Sequence, residues 1–306
     1  MDYRKGSEQM GLNSIQLIND ICEKENKSFC QVIMDTDCKE RGVSQEESFA
    51  TMKKMWDVML DASNTYNADL KSKSGMVGGA GQYMEEYMQK GNTLSGDFTA
   101  NVMKEALKMG ESNACMKRIV AAPTAGSCGV IPAVLITYFK YFGDKEQDLE
   151  KKIIEALFVT AGIGQVIAER AYIAGAAGGC QAEVGAASAM AAGALVYIRN
   201  GSCEQISHAV AIALKNQLGL VCDPVAGLVE VPCVKRNVAG AVNALAAADL
   251  ALAGIVSQIP ADQVIDAMRE IGDNMNPKYK ETATGGCAAT LKGIEVQEKM
   301  DKIRYN

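Results

Sequence analysis

The strongest constraint on this fold is what three long stretches lack. Residues 119–139, 171–198 and 238–261 are almost free of charge. The first carries Pro123 and Pro132; the other two are mostly Ala and Gly, each with a single acid, Glu183 and Asp249. Ala and Gly supply far less transfer energy than Leu or Ile, so these stretches predict buried helices of a water-soluble domain and not membrane spans. Small side chains also let helix backbones approach closely, so several helices should cross tightly. Gly inside a helix costs about 1 kcal/mol relative to Ala. The crowding of glycines between Thr160 and Gly201 therefore signals close packing, or backbone brought up against a ligand.

Helical periodicity runs through the rest of the chain. Residues 45–62 place Phe49, Met52, Met55, Trp56 and Met59 at spacings of three and four, the pattern of a core-facing stripe. Residues 97–118 predict another helix, with Asp97 in its first turn and Lys117-Arg118 in its last, as the helix dipole favours. Further helices are expected over 148–173, 183–199, 203–218, 236–257 and 261–272. Alternating β-branched runs are few and short, so the expected fold is all-α. Residues 1–75 are more charged than the remainder of the chain, and 67–82 ("NADLKSKSGMVGGAGQ") reads as a flexible connection. That divides the chain into an N-terminal helical region, 1–75, and a main helical body, 76–306.

The net charge of −6 and the absence of any basic run beyond pairs such as Lys117-Arg118 argue against a nucleic-acid partner. The N-terminal residues hold no apolar signal core. Ten cysteines in a chain of 306 residues are too few for a disulfide scaffold, so a reducing, cytoplasmic compartment is expected, with thiols free, metal-bound or catalytic.

Three segments carry the chemistry. In "AAPTAGSCGVIPAVL" (121–135), Pro123 and Gly126 break regular structure, and Thr124 or Ser127 can cap a following helix. N–H groups at such a start bind anions, so Thr124, Ala125, Gly126 and Ser127 form a candidate carboxylate cradle beside an ordinary capped turn. Cys128 follows as a thiol of either low pKa or simple burial. In "GGCQAEVGAASAMAAG" (178–193), Cys180 precedes a helix start near Gln181, a position that favours thiolate. In "LVCDPVAGLVEVPCVKRN" (220–237), Cys222 and Cys233 lie eleven positions apart. A straight helix would separate them by about 16 Å and a strand by about 36 Å. Asp223-Pro224, Ala226-Gly227 and Pro232 are turn signals, so the loop can double back and bring the thiols together. The spacing matches neither the C-x-x-C pairs of zinc sites nor the cysteine runs of ferredoxins. The lone His208 sits in a helical pattern, as a packed or surface residue and not a ligand.

These segments, with "MNPKYKETATGGCAAT" (275–290), make the sequence resemble the alpha chain of the iron–sulfur-dependent L-serine dehydratases (L-serine ammonia-lyases) of the two-chain type. The resemblance covers most of the main body. It implies an all-helical catalytic domain, a [4Fe–4S] cluster held by Cys180, Cys222 and Cys233, a separate beta chain and a place in amino-acid degradation and gluconeogenesis. Three thiolates on four irons leave one iron open as a Lewis acid. The implied reaction is β-elimination of water from L-serine, giving aminoacrylate and then pyruvate and ammonia. The base is not named by the resemblance; Lys235 is one candidate by its nearness in sequence, if its pKa is lowered. An open iron also implies air sensitivity.

Some members of that family end in a cysteine that occupies the open iron at rest; this chain ends "DKIRYN", and Cys287 is internal. Cys22, Cys30, Cys38, Cys115 and Cys203 match no ligand position of the family. The competing readings are another cluster-dependent lyase, such as a cysteine desulfidase, and a non-catalytic helical scaffold with buried thiols. A pyridoxal phosphate enzyme would need an α/β scaffold. A homo-oligomer is also compatible with the sequence.

Overall fold

The computed structural model describes residues 11–305. Its helices start where capping residues tell them to. Ser28 with Gln31, Ser44 with Glu47 and Ser202 with Gln205 form capping boxes, each serine accepting from a backbone N–H and each third residue reaching back. These boxes open α2 (Phe29–Arg41), α3 (Gln45–Asn64) and α10 (Cys203–Lys215). Ser14 caps α1 (Ile15–Glu25). The remaining helices are α4 (Ala80–Gln89), α5 (Gly96–Ala114), α6 (Val130–Phe142), α7 (Leu149–Arg170), the single turn α8 (Gly175–Gly178), α9 (Ala186–Ile198), α11 (Cys233–Leu252), α12 (Ala261–Asn274) and α13 (Leu291–Tyr305). No β-sheet forms among the described residues; one isolated bridge joins Cys222 to Lys280. The fold is all-α, as expected. No helix among the described residues is long and apolar enough to cross a membrane.

The Ala/Gly-rich stretch becomes the central helix α9, in which every residue except Tyr197 is buried. It packs against α6, α7, α10 and α11. Its small residues are what permit this: a side chain at Gly193 would collide with Ile163 of α7. Likewise a Cβ at Gly240 of α11 would stand 2.6 Å from Val184. Close approach of backbones, not helix propensity, explains the glycines.

Within α3 the predicted stripe is only partly inward. Trp56 and Met59 are buried, Phe49 and Met52 are half-buried, and Met55 is 46% exposed. Adjacent residues differ by about 100° around a helix, so Met55 and Trp56 cannot both face the core, and the larger ring takes the inward position. Ile15, Ile18, Phe29, Trp56 and Met59 of the first three helices belong to the same buried cluster as Ile163, Val196 and Ala244. The 67–82 segment is tied down as well: Ser72 and Ser74 donate to the buried Glu230, and the Glu111 carboxylate accepts from the Ala80 and Gly81 N–H groups at the start of α4. α13 lays Val296 and Met300 on Val225 and Ala226, bracing the loop between Cys222 and Cys233.

Candidate active site

The loop that opens at Cys222 turns back on itself. Pro224 leads into a tight turn, Val225–Gly227, in which Ala226 and Gly227 adopt φ of 56° and 66°. The Val225 N–H donates to Val231 O at 2.9 Å and closes the loop. Pro232 then delivers Cys233 as the first residue of α11. Upstream, the Cys222 N–H donates to Tyr279 O (2.8 Å) and its carbonyl accepts from Glu281 N–H (2.9 Å), so residues near the C-terminus set its position.

Cys180 comes from another part of the chain and enters a short π-type turn, Gln181–Gly185, before α9. The buried Gln181 joins it to the Cys222 segment. Its backbone N–H donates to Leu220 O (2.9 Å), its Oε1 accepts from Gly219 N–H (2.9 Å), and its Nε2 donates to Met268 O (3.0 Å). The Cys222 thiol donates to Glu183 Oε2 (3.7 Å) and neighbours the Cys180 sulfur. Cys180, Cys222 and Cys233 are all buried.

Their environment separates the three thiols. The neighbouring Cys222 thiol holds Cys180 below the ordinary thiol range, with the Arg236 charge acting the same way against burial and Glu183. The same pairing, with burial, drives Cys222 upward. Burial pushes Cys233 up to about 12. Arg236 is the cation of the site. Its Nη1 donates to Val221 O (2.7 Å) and forms a 2.8 Å ion pair with the buried Asp223 Oδ1, at an angle outside hydrogen-bond geometry. Burial opposes its charge, but Cys180, Asp223 and Cys233 raise its pKa regardless. Asp223 Oδ2 accepts from Cys287 N–H (2.6 Å), and a side chain at Gly286 would collide with that carboxylate.

The Thr124–Ser127 turn reaches the same place. Thr124 Oγ1 donates to Glu183 Oε1 at 2.7 Å, and a Cβ at Gly126 would stand 2.9 Å from that oxygen. The buried Asn237 locks the turn to α11, its Nδ2 donating to Gly126 O (2.7 Å) and Cys233 O (2.9 Å) and its Oδ1 accepting from Gly129 N–H (2.7 Å).

Glu183 is a candidate functional group that motif and spacing do not single out. Burial raises its pKa, against the hydrogen bonds from Thr124 and Cys222. Glu105, its counterpart elsewhere in this molecule, is also buried, but Lys108, Lys140 and Ser63 overcome that burial and hold its pKa down. A buried carboxylate of raised pKa beside a thiol cluster is a candidate for chemistry. Its signal in the sequence is its isolation, the only acid in residues 171–198.

Lys235 is exposed on α11, one residue from the inward Arg236. Cys128 is buried apart from the cluster, pushed up to about 12 by burial, with its sulfur 3.9 Å from Met109 O. His208 lies 3.7 Å from Glu204 within α10, away from the thiols. Among the described residues no three His, Cys, Asp or Glu side chains surround one point as ligands of a single metal ion.

The family model for the serine dehydratase alpha chain matches residues 17–288. The chain belongs to that family. It is 47% identical over 257 residues to a probable L-serine dehydratase alpha chain of Bacillus subtilis (strain 168), covering 84% of each chain. It is 41% identical over 289 residues to the L-serine dehydratase alpha chain of Peptoniphilus asaccharolyticus, covering 94% of this chain and 97% of that one. The longer L-serine dehydratase of Mycobacterium bovis is 36% identical over 289 residues, which span 91% of this chain and 61% of that protein. The family model thus spans the Thr124–Ser127 turn, Glu183, Cys180, Cys222 and Cys233.

Proposed function

We propose that this chain is the catalytic alpha subunit of an L-serine dehydratase, completed by a separate beta chain, with Cys180, Cys222 and Cys233 holding a [4Fe–4S] cluster. The observation that carries the reading is the convergence of three thiols, from segments 42 and 11 residues apart in sequence, beside one arginine and one buried carboxylate. The donor set suits such a group. Ligands of a cluster each hold a different iron, so they need not surround one point. Arg236 offsets thiolate charge. Gly175 leaves room where a Cβ would stand 2.8 Å from Cys222 Sγ and 2.6 Å from Glu183 Oε2. When bound, the cluster would supply Lewis acidity at the iron that lacks a cysteine.

The chain's own residues supply the rest. The Thr124–Ser127 turn seats the serine carboxylate on its N–H groups. Glu183 is positioned by the Thr124 hydroxyl and takes the Cα proton, a role for which a carboxylate of raised pKa is suited. Loss of that proton with departure of the β-hydroxyl gives aminoacrylate, which tautomerises and hydrolyses to pyruvate and ammonia. Lys235, being exposed, is set aside as the base in favour of Glu183. All ten cysteines are free, in keeping with a reducing cytoplasm.

The test is co-expression with the beta chain and anaerobic purification, followed by iron analysis and turnover of L-serine, L-cysteine and L-threonine. Iron near four per chain, broad absorbance near 400 nm, loss of activity in air and preference for serine are expected. Faster turnover of cysteine than serine, or a chain that stays iron-free after reconstitution, would sink the proposal.

A further inference from the structure

A second pair of thiols lies outside the proposed active site. Cys22 is on α1 and Cys203 is the first residue of α10. The two helices are held side by side by a hydrogen bond from Asn19 Nδ2 to Ser207 Oγ (2.7 Å), one turn from each cysteine. Their thiols are neighbours, and each shifts the other's pKa. Both line an open cavity of about 420 Å³, together with Asn19, Asp20, Glu23 and Glu204.

The pair is asymmetric. Cys22 is buried and Cys203 is half-exposed. Beside the Cys203 sulfur stand the Cys22 thiol and the Phe29 N–H at the start of α2, while Cys203 itself opens α10. Two helix N-termini and a second thiol therefore meet at one sulfur, an arrangement that stabilises thiolate. These neighbours bring Cys203 down to about 7, and the pairing keeps Cys22 above the ordinary thiol range. The reactive member faces solvent, and the protonated member stands behind it.

We propose that Cys203 and Cys22 form a peroxide-responsive disulfide, with Cys203 as the attacking thiolate and Cys22 as the resolving thiol. Cys203 sulfur attacks one oxygen of a hydroperoxide; its S–O bond forms, the O–O bond breaks, and the departing hydroxide (for hydrogen peroxide) is protonated to water. The Cys22 sulfur then attacks the Cys203 sulfenic acid. The S–S bond forms, the S–O bond breaks, and the second oxygen leaves as water with the Cys22 proton. Two thiols lose two electrons and the peroxide gains them. The product would tie α1 to α10 across the chain.

The experiment uses the full-length chain, treated anaerobically with one equivalent of hydrogen peroxide, alkylated and mapped by mass spectrometry. A Cys22–Cys203 linked peptide, two hydrogens lighter than its parts and released by dithiothreitol, is expected. Before oxidation, Cys203 should alkylate at pH 7 about tenfold faster than the half-buried Cys38. In Cys22→Ser, with an unchanged far-ultraviolet spectrum, the Cys203 sulfenic acid should persist and be trapped by dimedone. Linkage confined to Cys180, Cys222 and Cys233, or Cys203 no more reactive than Cys38, would overturn the proposal.

Discussion

Cys180 with Cys222 and Cys203 with Cys22 are one local device used twice. In each, a thiol at the start of a helical segment sits beside a thiol brought from elsewhere in the chain. The pairing drives one pKa down and the other up in both places. The surroundings differ. The inner pair is buried, joined by a third thiol at another helix start, and faces Arg236 and Glu183. The outer pair opens onto a solvent cavity edged by acids and has no third thiol among the residues lining it. Enclosure and a fixed cation suit thiolates that stay bound to one partner; an open rim suits a sulfur that meets solutes. Thiol acidity alone does not tell the two uses apart.

The two pairs should part most sharply under single substitutions at the inner one. Replacing Cys222 by Ala should reduce iron content and serine turnover by more than the roughly 10–100-fold typical of losing an outer partner of a metal site. Cys203→Ser should leave both unchanged. Equal iron in the two variants would end the distinction. Next comes Glu183→Gln, for which kcat should fall by about 10²–10⁴ with iron retained; an unchanged kcat would remove Glu183 as the base.

Arg236→Met probes the enclosure directly. It leaves Asp223 buried without its ion partner, and should cost about 3–5 kcal/mol of stability, read as a lower midpoint in urea. A change within error would mean that the ion pair is not what seals the inner site.

The smallest effect belongs to the outer pair. The folded pKa of Cys203 lies below that of an unfolded thiol. Its contribution to stability is therefore present above the unfolded value of 9.0 and is lost as pH falls through about 7. The raised Cys22 pKa acts oppositely, removing stability above the ordinary thiol range. Wild type should thus exceed Cys22→Ala in thermal midpoint by a margin that shrinks as pH falls from about 9 to about 7 and is flat below that. The pH at half-maximal alkylation of Cys203 should also rise in that variant. A pH-independent margin would show that Cys22 acts only by packing.

Much of the fold was legible in the sequence, since period, caps and small-residue runs are local. Ser44 with Glu47 and Ser202 with Gln205 announce their helices in the residues themselves. The site was less so. Doubling back of the 222–233 loop followed from Pro and Gly positions, but the arrival of Cys180 depends on Gln181 contacts with Gly219, Leu220 and Met268, which no spacing rule contains. Lys235 attracted the role of base because nearness in sequence was the only guide; one step of about 100° around α11 separates it from the inward Arg236. Met55 and Trp56 show the same limit. Glu183 was visible as a lone acid in an apolar stretch, and its burial beside a thiol is what made it the proposed base.

The backbone bridge between Cys222 and residues 279–281 sets a schedule for synthesis. A chain emerging from the ribosome has made Cys180, Cys222 and Cys233 long before the segment that seats Cys222 exists. Until residues 279–281 have been made, Cys222 lacks the backbone partners that seat it. The proposed donor set is therefore gathered only after that segment arrives.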